Sequence, residues 1–351
     1  CGSLRRVLGK RAWMLAMFEP RAAARPFLDA HGWAGIAPAP LAGDASFRRY
    51  FRLADGKRRA VLMDAPPLHE DVRPFVAVGE HLAALGFSAP RIEAKNPHDG
   101  FLLLEDLGDA TFTRVLREGA NEAELYALAA DTLVALHKHP AQTNVDVPPY
   151  DAATLDREAA LLVDWFLPAW TGAAASPALR RDYLELWRKL YALADIGTPC
   201  LVLRDYHVDN LVLLADRPGI AACGLLDFQD ARLGSCVYDL ASLVEDARRD
   251  VSPDVRAACV ARYLAAFPQI DKAAFDAGLA VLGAQRSAKI IGIFVRLALR
   301  DGKPHYLGHI ARVWRLLEAS LTHPALADLE HWFAANVPNE WRTAPKIETA
   351  A

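Results

Sequence analysis

Two short runs near the amino end, SFRRYFRL (46–53) and RRAVLMDAP (58–66), interleave β-rich apolar residues with arginines, and Asp55-Gly56 stands between them. Such a pair between two β-rich runs predicts an antiparallel hairpin. FVAVGEHLAALGF (75–87) places Phe75, Val78, Leu82 and Leu85 three and four residues apart, the spacing of one helix face. Phe101–Leu104 is an apolar strand that stops at the acidic pair Glu105-Asp106. From about Thr111 the texture changes to Ala- and Leu-rich helical periodicity, in EAELYALAADTLVALH, REAALLVDWF, LRRDYLELWRKLYALA and the stretch 252–335. The clear β signals in this half are LVLRDYHVDNLVLL (201–214) and AACGLLDFQD (221–230). The pattern predicts an α+β chain of two lobes: a small β-rich lobe over 18–107 and a larger, mainly helical one over 108–340. Residues 1–17 read as a disordered extension or tag and 341–351 as a tail.

Composition narrows the class. The chain has 351 residues, 53% apolar and 24% charged, which suits a folded globular protein with a large core. A formal charge of −3 gives no basic footprint, so nucleic acid is not an expected partner. The cysteines Cys1, Cys200, Cys223, Cys236 and Cys259 form no CxxC pair and read as reduced thiols in the cytoplasm. Arg5, Arg6, Lys10 and Arg11 precede an apolar run at 12–18, but Glu19-Pro20 ends it, too short for a membrane span.

The chemistry concentrates between the two apolar runs at 201–214. Asp205 and Asn210 stand five apart in RDYHVDN, and Asp227 follows seventeen residues after Asn210 at the end of another apolar run. An amide oxygen and a second carboxylate suit a hard cation such as Mg²⁺. Asp205 is then free to orient or deprotonate a hydroxyl. The plain alternative is a polar hairpin with capping Asp and Asn residues.

RDYHVDN and DFQD, followed by GSCVYDLASL at 234–243, resemble the catalytic loop, metal site and following helix of the protein-kinase-like superfamily, in its aminoglycoside phosphotransferase and choline kinase branch. The resemblance spans about 40–320 and implies a two-lobed kinase fold using ATP and Mg²⁺. It implies that Asp205 is catalytic, that Asn210 and Asp227 hold the metal, and that Asp239 steadies the catalytic loop. LAGDASFRRYFRL becomes the phosphate-covering hairpin, with Ser46, Phe47 and Arg48 near the nucleotide. LLLEDL (102–107) becomes the hinge, where the backbone of Glu105 to Leu107 pairs with adenine.

Two departures stand out. Met63 occupies the third-strand position where the superfamily expects a phosphate-binding Lys, so another cation is needed: Arg48, Arg49 or Lys57. Leu203 replaces the His that usually opens the loop. Met63 keeps open the reading of a nucleotide-binding pseudokinase. GSCVYDLA follows Asp227 too closely for a protein-kinase activation segment, which favours a small-molecule acceptor. Arg286, Lys289 and Arg296 lie on one helical face and suit a carboxylate or an oxygen-rich sugar, with ordinary surface charge as the alternative.

LAGDASFRRYFR, VLMDAPP, LLLEDLGD, LRDYHVDNL, LLDFQDA and GIFVRLALRDGKPHY together resemble a bacterial subgroup of anomeric amino-sugar kinases of cell-wall recycling, and Met63 is part of that resemblance. The implied acceptor is N-acetylmuramate and/or N-acetylglucosamine, with a sugar-1-phosphate nucleotidyltransferase downstream and a monomer as the working unit. An aminoglycoside, choline or homoserine is the alternative acceptor. Glu158 and Asp164 are candidates for sugar hydroxyls, Trp165 or Phe166 for ring stacking or helix packing, and Arg204 for loop support or acceptor contact.

Overall fold

The computed structural model describes residues 19–41 and 47–346. The expectations for 1–17, for Ser46 and the four residues before it, and for 347–351 lie outside the described residues.

In chain order the elements are α1 (Ala24–Ala30), β1 (Ala39–Pro40), β2 (Arg49–Asp55), β3 (Arg58–Asp64), α2 (Arg73–Ala84), β4 (Ile92–Asn96) and β5 (Phe101–Leu104). Then come α3 (Phe112–Arg117), α4 (Glu122–Lys138), α5 (Ala152–Leu161), α6 (Leu167–Thr171), α7 (Pro177–Ala194), β6 (Cys200–Val202) and β7 (Leu211–Leu213). The chain continues through β8 (Cys223–Leu225), β9 (Arg232–Gly234), α8 (Tyr238–Val244), α9 (Pro253–Ala266), α10 (Lys272–Asp301), α11 (Ile310–Leu321) and α12 (Ala327–Asn336). Two compact units result. One runs up to Ala110 and takes back Val212–Asp230; the other holds Thr111–Leu211 and everything from Ala231 on. The class is α+β.

The first unit is built on an antiparallel sheet in the order β1-β2-β3-β5-β4. The expected hairpin is β2–β3, with Phe51 opposite Leu62 and Asp55 opposite Arg58. Its two-residue turn is Gly56-Lys57, and Gly56 has φ +60, the left-handed value needed at the first central position of a type II′ turn. Phe51 and Leu53 alternate with more exposed neighbours along β2, while β5 is buried on both faces. They join Ala60, Leu62, Phe101 and Leu103 in a core closed by Phe27, Leu28 and Trp33. Each fully buried large side chain contributes about 1.5–3 kcal/mol. β4 escapes the sequence pattern because only its partner β5 is strongly apolar. The hairpin carrying β7 and β8 joins this unit through Leu225 N–H, which donates to Ser88 O at 2.9 Å.

The second unit is helical, and its helices start where side chains can cap them. Asn121, Asp151, Ser176, Ser252 and Asp271 each accept a backbone N–H of the first turn. The thirty-residue α10 is its central helix, packing on α5, α7 and α11. By length and composition it is long enough to cross a membrane, but 89% of its most apolar window is buried inside the structure. Between α5 and α6 the chain widens into a π turn at Leu162–Phe166, next to Pro168, which has no N–H to donate. Gly292 of α10 meets this bend; a Cβ there would overlap the Leu161 carbonyl.

One detail differs from the sequence pattern. The two apolar runs around RDYHVDN do not pair with each other: β6 pairs with β9 and β7 with β8. The physical reason is the length and anchoring of the intervening loop, which is far longer than a tight hairpin turn.

Candidate active site

The loop after β6 is held from below by α8. Asp239, wholly buried on that helix, accepts Leu203 N–H at 2.6 Å and Arg204 N–H at 2.8 Å. Burial pushes its carboxyl up to about 7, against the pull of those two donors. Further along, Tyr206 Oη donates to Ala129 O at 2.8 Å, Thr113 Oγ1 donates to Asp209, and Asn210 Nδ2 donates to Asp205 O at 2.9 Å. His207 Nε2 faces two donors, Arg248 Nη1 at 3.3 Å and Asn210 Nδ2 at 3.4 Å, which requires an unprotonated acceptor nitrogen. Burial keeps this ring neutral by lowering its pKa.

Asp205 is surrounded by positive charge. Burial opposes its ionisation, but Lys289, Arg204 and Arg286 together hold its carboxyl below the usual range. The cations are themselves fixed. Glu158 Oε1 lies 3.2 Å from Lys289 Nζ and also accepts from Arg204 Nη2, while Glu158 Oε2 accepts from Tyr150 Oη at 2.6 Å. Lys289 Nζ donates to Tyr238 Oη at 3.3 Å, and the rings of Tyr150 and Tyr238 are 4.8 Å apart. Arg286 Nη1 donates to Glu245 O at 3.0 Å. An ionised carboxylate on an anchored loop, with cations close by, can accept a proton from a hydroxyl or orient one.

In the first unit the corresponding carboxylate is Asp227, just past β8. Its Oδ1 accepts Gln229 Nε2 at 2.8 Å and Arg48 Nη2 at 3.2 Å. Phe228 beside it is buried against Phe75, ring centroids 4.8 Å apart, and against Gly79 of α2. Among the described residues, the non-glycines with positive φ are Asp227, at +57, and Arg204, at +72. Strained backbone of this kind persists where the surroundings over-determine it and clusters at functional sites. Arg49 turns elsewhere, to the buried Asp64 at 2.5 Å, which also holds Arg21. Met63 is fully buried in β3, opposite Tyr50.

The family described as phosphotransferase enzyme family matches residues 38–275. The chain belongs to the phosphotransferase enzyme family. The N-acetylmuramate/N-acetylglucosamine kinase of Caulobacter vibrioides is 38% identical to this phosphotransferase, the match covering 92% of this chain and 98% of that one. The kinase of the same name from Pseudomonas aeruginosa is 40% identical over 87% of this chain and 91% of its own. Among solved structures, a choline/ethanolamine kinase family protein from Mesorhizobium loti superposes with a TM-score of 0.60 at 15% identity, covering 90% of this chain and 98% of that chain. The streptomycin–ATP–APH(2″)-IIa ternary complex gives 0.55 at 16% identity, covering 78% and 90%. The two-lobed kinase fold read from the sequence is therefore the fold of this phosphotransferase, and it acts as a kinase.

The remaining candidate residues of the phosphotransferase are distributed as follows. Arg204, Glu158, Lys289 and Arg286 are brought together around Asp205. Arg296 is not; it is half-buried near Arg300 and Asp301, and burial followed by the charge of Arg300 lowers its pKa. Arg286 and Lys289 are buried rather than spread over a surface, so the alternative of ordinary surface charge does not describe them. Phe47 is 62% exposed, stacks on His69 at 4.6 Å, and its N–H donates to Glu70 Oε1 at 3.0 Å. Glu105 N–H donates to Arg91 O at 2.8 Å and its carboxylate takes Arg217 at 2.7 Å, while Leu107 lies against Gly224. Asp164 is exposed and paired with Arg180 at 2.8 Å, and Phe166 packs on Trp314 at 5.3 Å, the packing role. Sequence reasoning missed Tyr150 and Tyr238. The second stood in view inside YDLA; the first carried no signal.

Proposed function

We propose that this phosphotransferase transfers the γ-phosphoryl group of ATP, with Mg²⁺, to the anomeric hydroxyl of N-acetylmuramate and/or N-acetylglucosamine, releasing ADP and the sugar 1-phosphate. The observation that carries this reading is the nearly end-to-end match to two kinases named for those sugars. The surroundings of Asp205 support it, because an ionised, half-buried carboxylate on a pinned loop is what a hydroxyl nucleophile requires.

Asp205 accepts or orients the proton of the sugar hydroxyl as its oxygen attacks in line. Lys289, Arg204 and Arg286 keep that carboxylate charged. Asn210 and Asp227 are the residues we assign to Mg²⁺. Their amide and carboxylate oxygens are donors such an ion takes, and Asn210 commits its nitrogen end to Asp205 O. When bound, Mg²⁺ neutralises charge on the phosphates. Arg48, beside Asp227, supplies the cation that Met63 cannot. We also assign Ser46 and Phe47 to the nucleotide, and the backbone of Glu105 to Leu107 to adenine. We assign the reaction to the cytoplasm and its product to a sugar-1-phosphate nucleotidyltransferase of peptidoglycan recycling.

The test is a coupled ADP-release assay with Mg-ATP and a panel of N-acetylmuramate, N-acetylglucosamine, glucosamine, kanamycin, choline and homoserine. Turnover confined to the N-acetylated sugars, with an acid-labile product, is the expected result. Turnover with another acceptor alone would discard the sugar assignment, and silence across the panel with ATP still binding would leave a pseudokinase.

A further inference from the structure

Glu158 stands out in the sequence as a ligand for sugar hydroxyls, yet in the structure its oxygens are taken by the protein. Oε2 accepts from Tyr150 Oη at 2.6 Å; Oε1 accepts from Arg204 Nη2 and lies 3.2 Å from Lys289 Nζ. The residue is buried on α5, and these three donors fill most of the acceptor sites of its carboxylate.

Arg204 is the unusual member of the group. Its backbone is left-handed, φ +72, a conformation that glycine would hold at no steric cost. An arginine stands there instead, and the next residue is Asp205. Both ends of this arginine are pinned: its N–H by Asp239 Oδ1 at 2.8 Å, its guanidinium by Glu158, with the Tyr150 ring 5.5 Å beneath. A buried ion cluster is weak as a source of stability, since apolar packing of similar volume does as well or better. Its place beside the reacting carboxylate gives it another use.

We propose that Glu158 is a positioning residue for phosphoryl transfer: by gripping the Arg204 guanidinium it fixes the left-handed turn that orients Asp205. The grip comes from α5, a helix separate from the loop, so the loop is braced from outside as well as by α8. Lys289 shares the same carboxylate and keeps the cluster's charge balanced. The proposal rests on Asp205 being the catalytic carboxylate, which D205N tests by itself.

The experiment is steady-state kinetics of E158Q, R204G, the double variant and D205N, using Mg-ATP and whichever acceptor the panel above identifies, with thermal melting as the fold check. E158Q keeps the shape of the side chain but removes the charge that holds Arg204. The expected result is a kcat at least tenfold lower in E158Q and in R204G, with KM for ATP and for the acceptor within threefold of the parent. Because Glu158 acts through Arg204, the double variant should be no slower than R204G within threefold. A kcat within twofold of the parent in E158Q would overturn the proposal. So would losses that multiply in the double variant, or an acceptor KM raised tenfold at unchanged kcat, which would make Glu158 a sugar ligand. Should E158Q not fold, R204G decides, and a parental kcat there overturns it. An active D205N would instead remove the assignment of Asp205, and the proposal with it; an inactive D205N beside a fully active E158Q removes the proposal alone.

Discussion

Arg48 Nη2 lies 3.2 Å from Asp227 Oδ1, although the two residues are 179 apart in sequence. The pair joins the residue just before β2 to the carboxylate after β8, and Arg48 is largely buried there. The third strand carries Met63, so an arginine one strand away holds the position next to the metal-binding candidate. Replacing Arg48 with Met should raise the KM for ATP at least tenfold and lower kcat, while the melting temperature changes little. Nucleotide titration by calorimetry and a thermal melt separate the two effects. Unchanged ATP affinity would contradict the role given to Arg48.

Arg49 predicts the opposite division. Its guanidinium pairs with Asp64, a fully buried carboxylate that also takes Arg21 Nε at 2.6 Å and Arg21 N–H at 2.8 Å. Removing one partner of a buried charge is costly, on the order of 1–3 kcal/mol when other donors remain. Arg49→Met should therefore lower the melting temperature by several degrees and leave the KM for ATP within twofold. Two adjacent arginines thus have separable readouts, one in nucleotide affinity and the other in stability.

The contrast between these arginines also marks how far the sequence could be read. The β2–β3 hairpin was legible because its alternation and its Asp-Gly pair are local. Asp205, Asn210 and Asp227 could be singled out because their spacing within two short segments carries the resemblance, and their roles rest on that. Which of Arg48, Arg49 and Lys57 stands beside Asp227 was not legible, since side-chain direction depends on Asp64 and Asp227, the latter far away in the chain. The pairing of β6 with β9 was hidden for a similar reason: RLG is three residues long and has no periodicity to read. The grouping of Glu158, Arg204 and Lys289 depends on how α5 and α10 pack, and only the face shared by Arg286 and Lys289 was visible.

Asp239 gives a prediction in pH. Its carboxyl sits at about 7 in the folded chain against an ordinary value near 3.8, because burial outweighs the two N–H donors. Between those values the folded state holds a proton that the unfolded state has released, so this group makes stability fall as pH rises from about 4 to about 7, with no further change above. Asp239→Asn removes that dependence. The stability of the variant relative to the parent should rise across that window, by on the order of 4 kcal/mol at most. Denaturant titrations at several pH values measure it, and a difference that is flat or falls with pH would contradict the assignment. Turnover should drop as well: Leu203 N–H and Arg204 N–H are accepted by the two different oxygens of Asp239, and in the variant an NH2 donor faces one of them.

Asn210 separates metal binding from loop support. Its nitrogen donates to Asp205 O at 2.9 Å, and its oxygen is the end we assign to Mg²⁺. Asn210→Asp keeps an oxygen for the ion but loses the donor, and it sets a second acceptor against the Asp205 carbonyl. That variant should reach half-maximal rate at an Mg²⁺ concentration within threefold of the parent, with kcat lowered at least tenfold. Asn210→Ala loses both ends, so kcat should fall and the Mg²⁺ requirement should rise tenfold or more. Asp227→Asn, by contrast, removes a full charge from beside Arg48 and should abolish Mg²⁺-dependent nucleotide binding while Asp205 and its loop stay in place. Magnesium titrations of rate and of nucleotide affinity compare the three variants. If Asn210→Asp and Asn210→Ala shifted the Mg²⁺ requirement equally, the nitrogen end would be the one that matters, and Asn210 would be a loop brace with no place in the metal site.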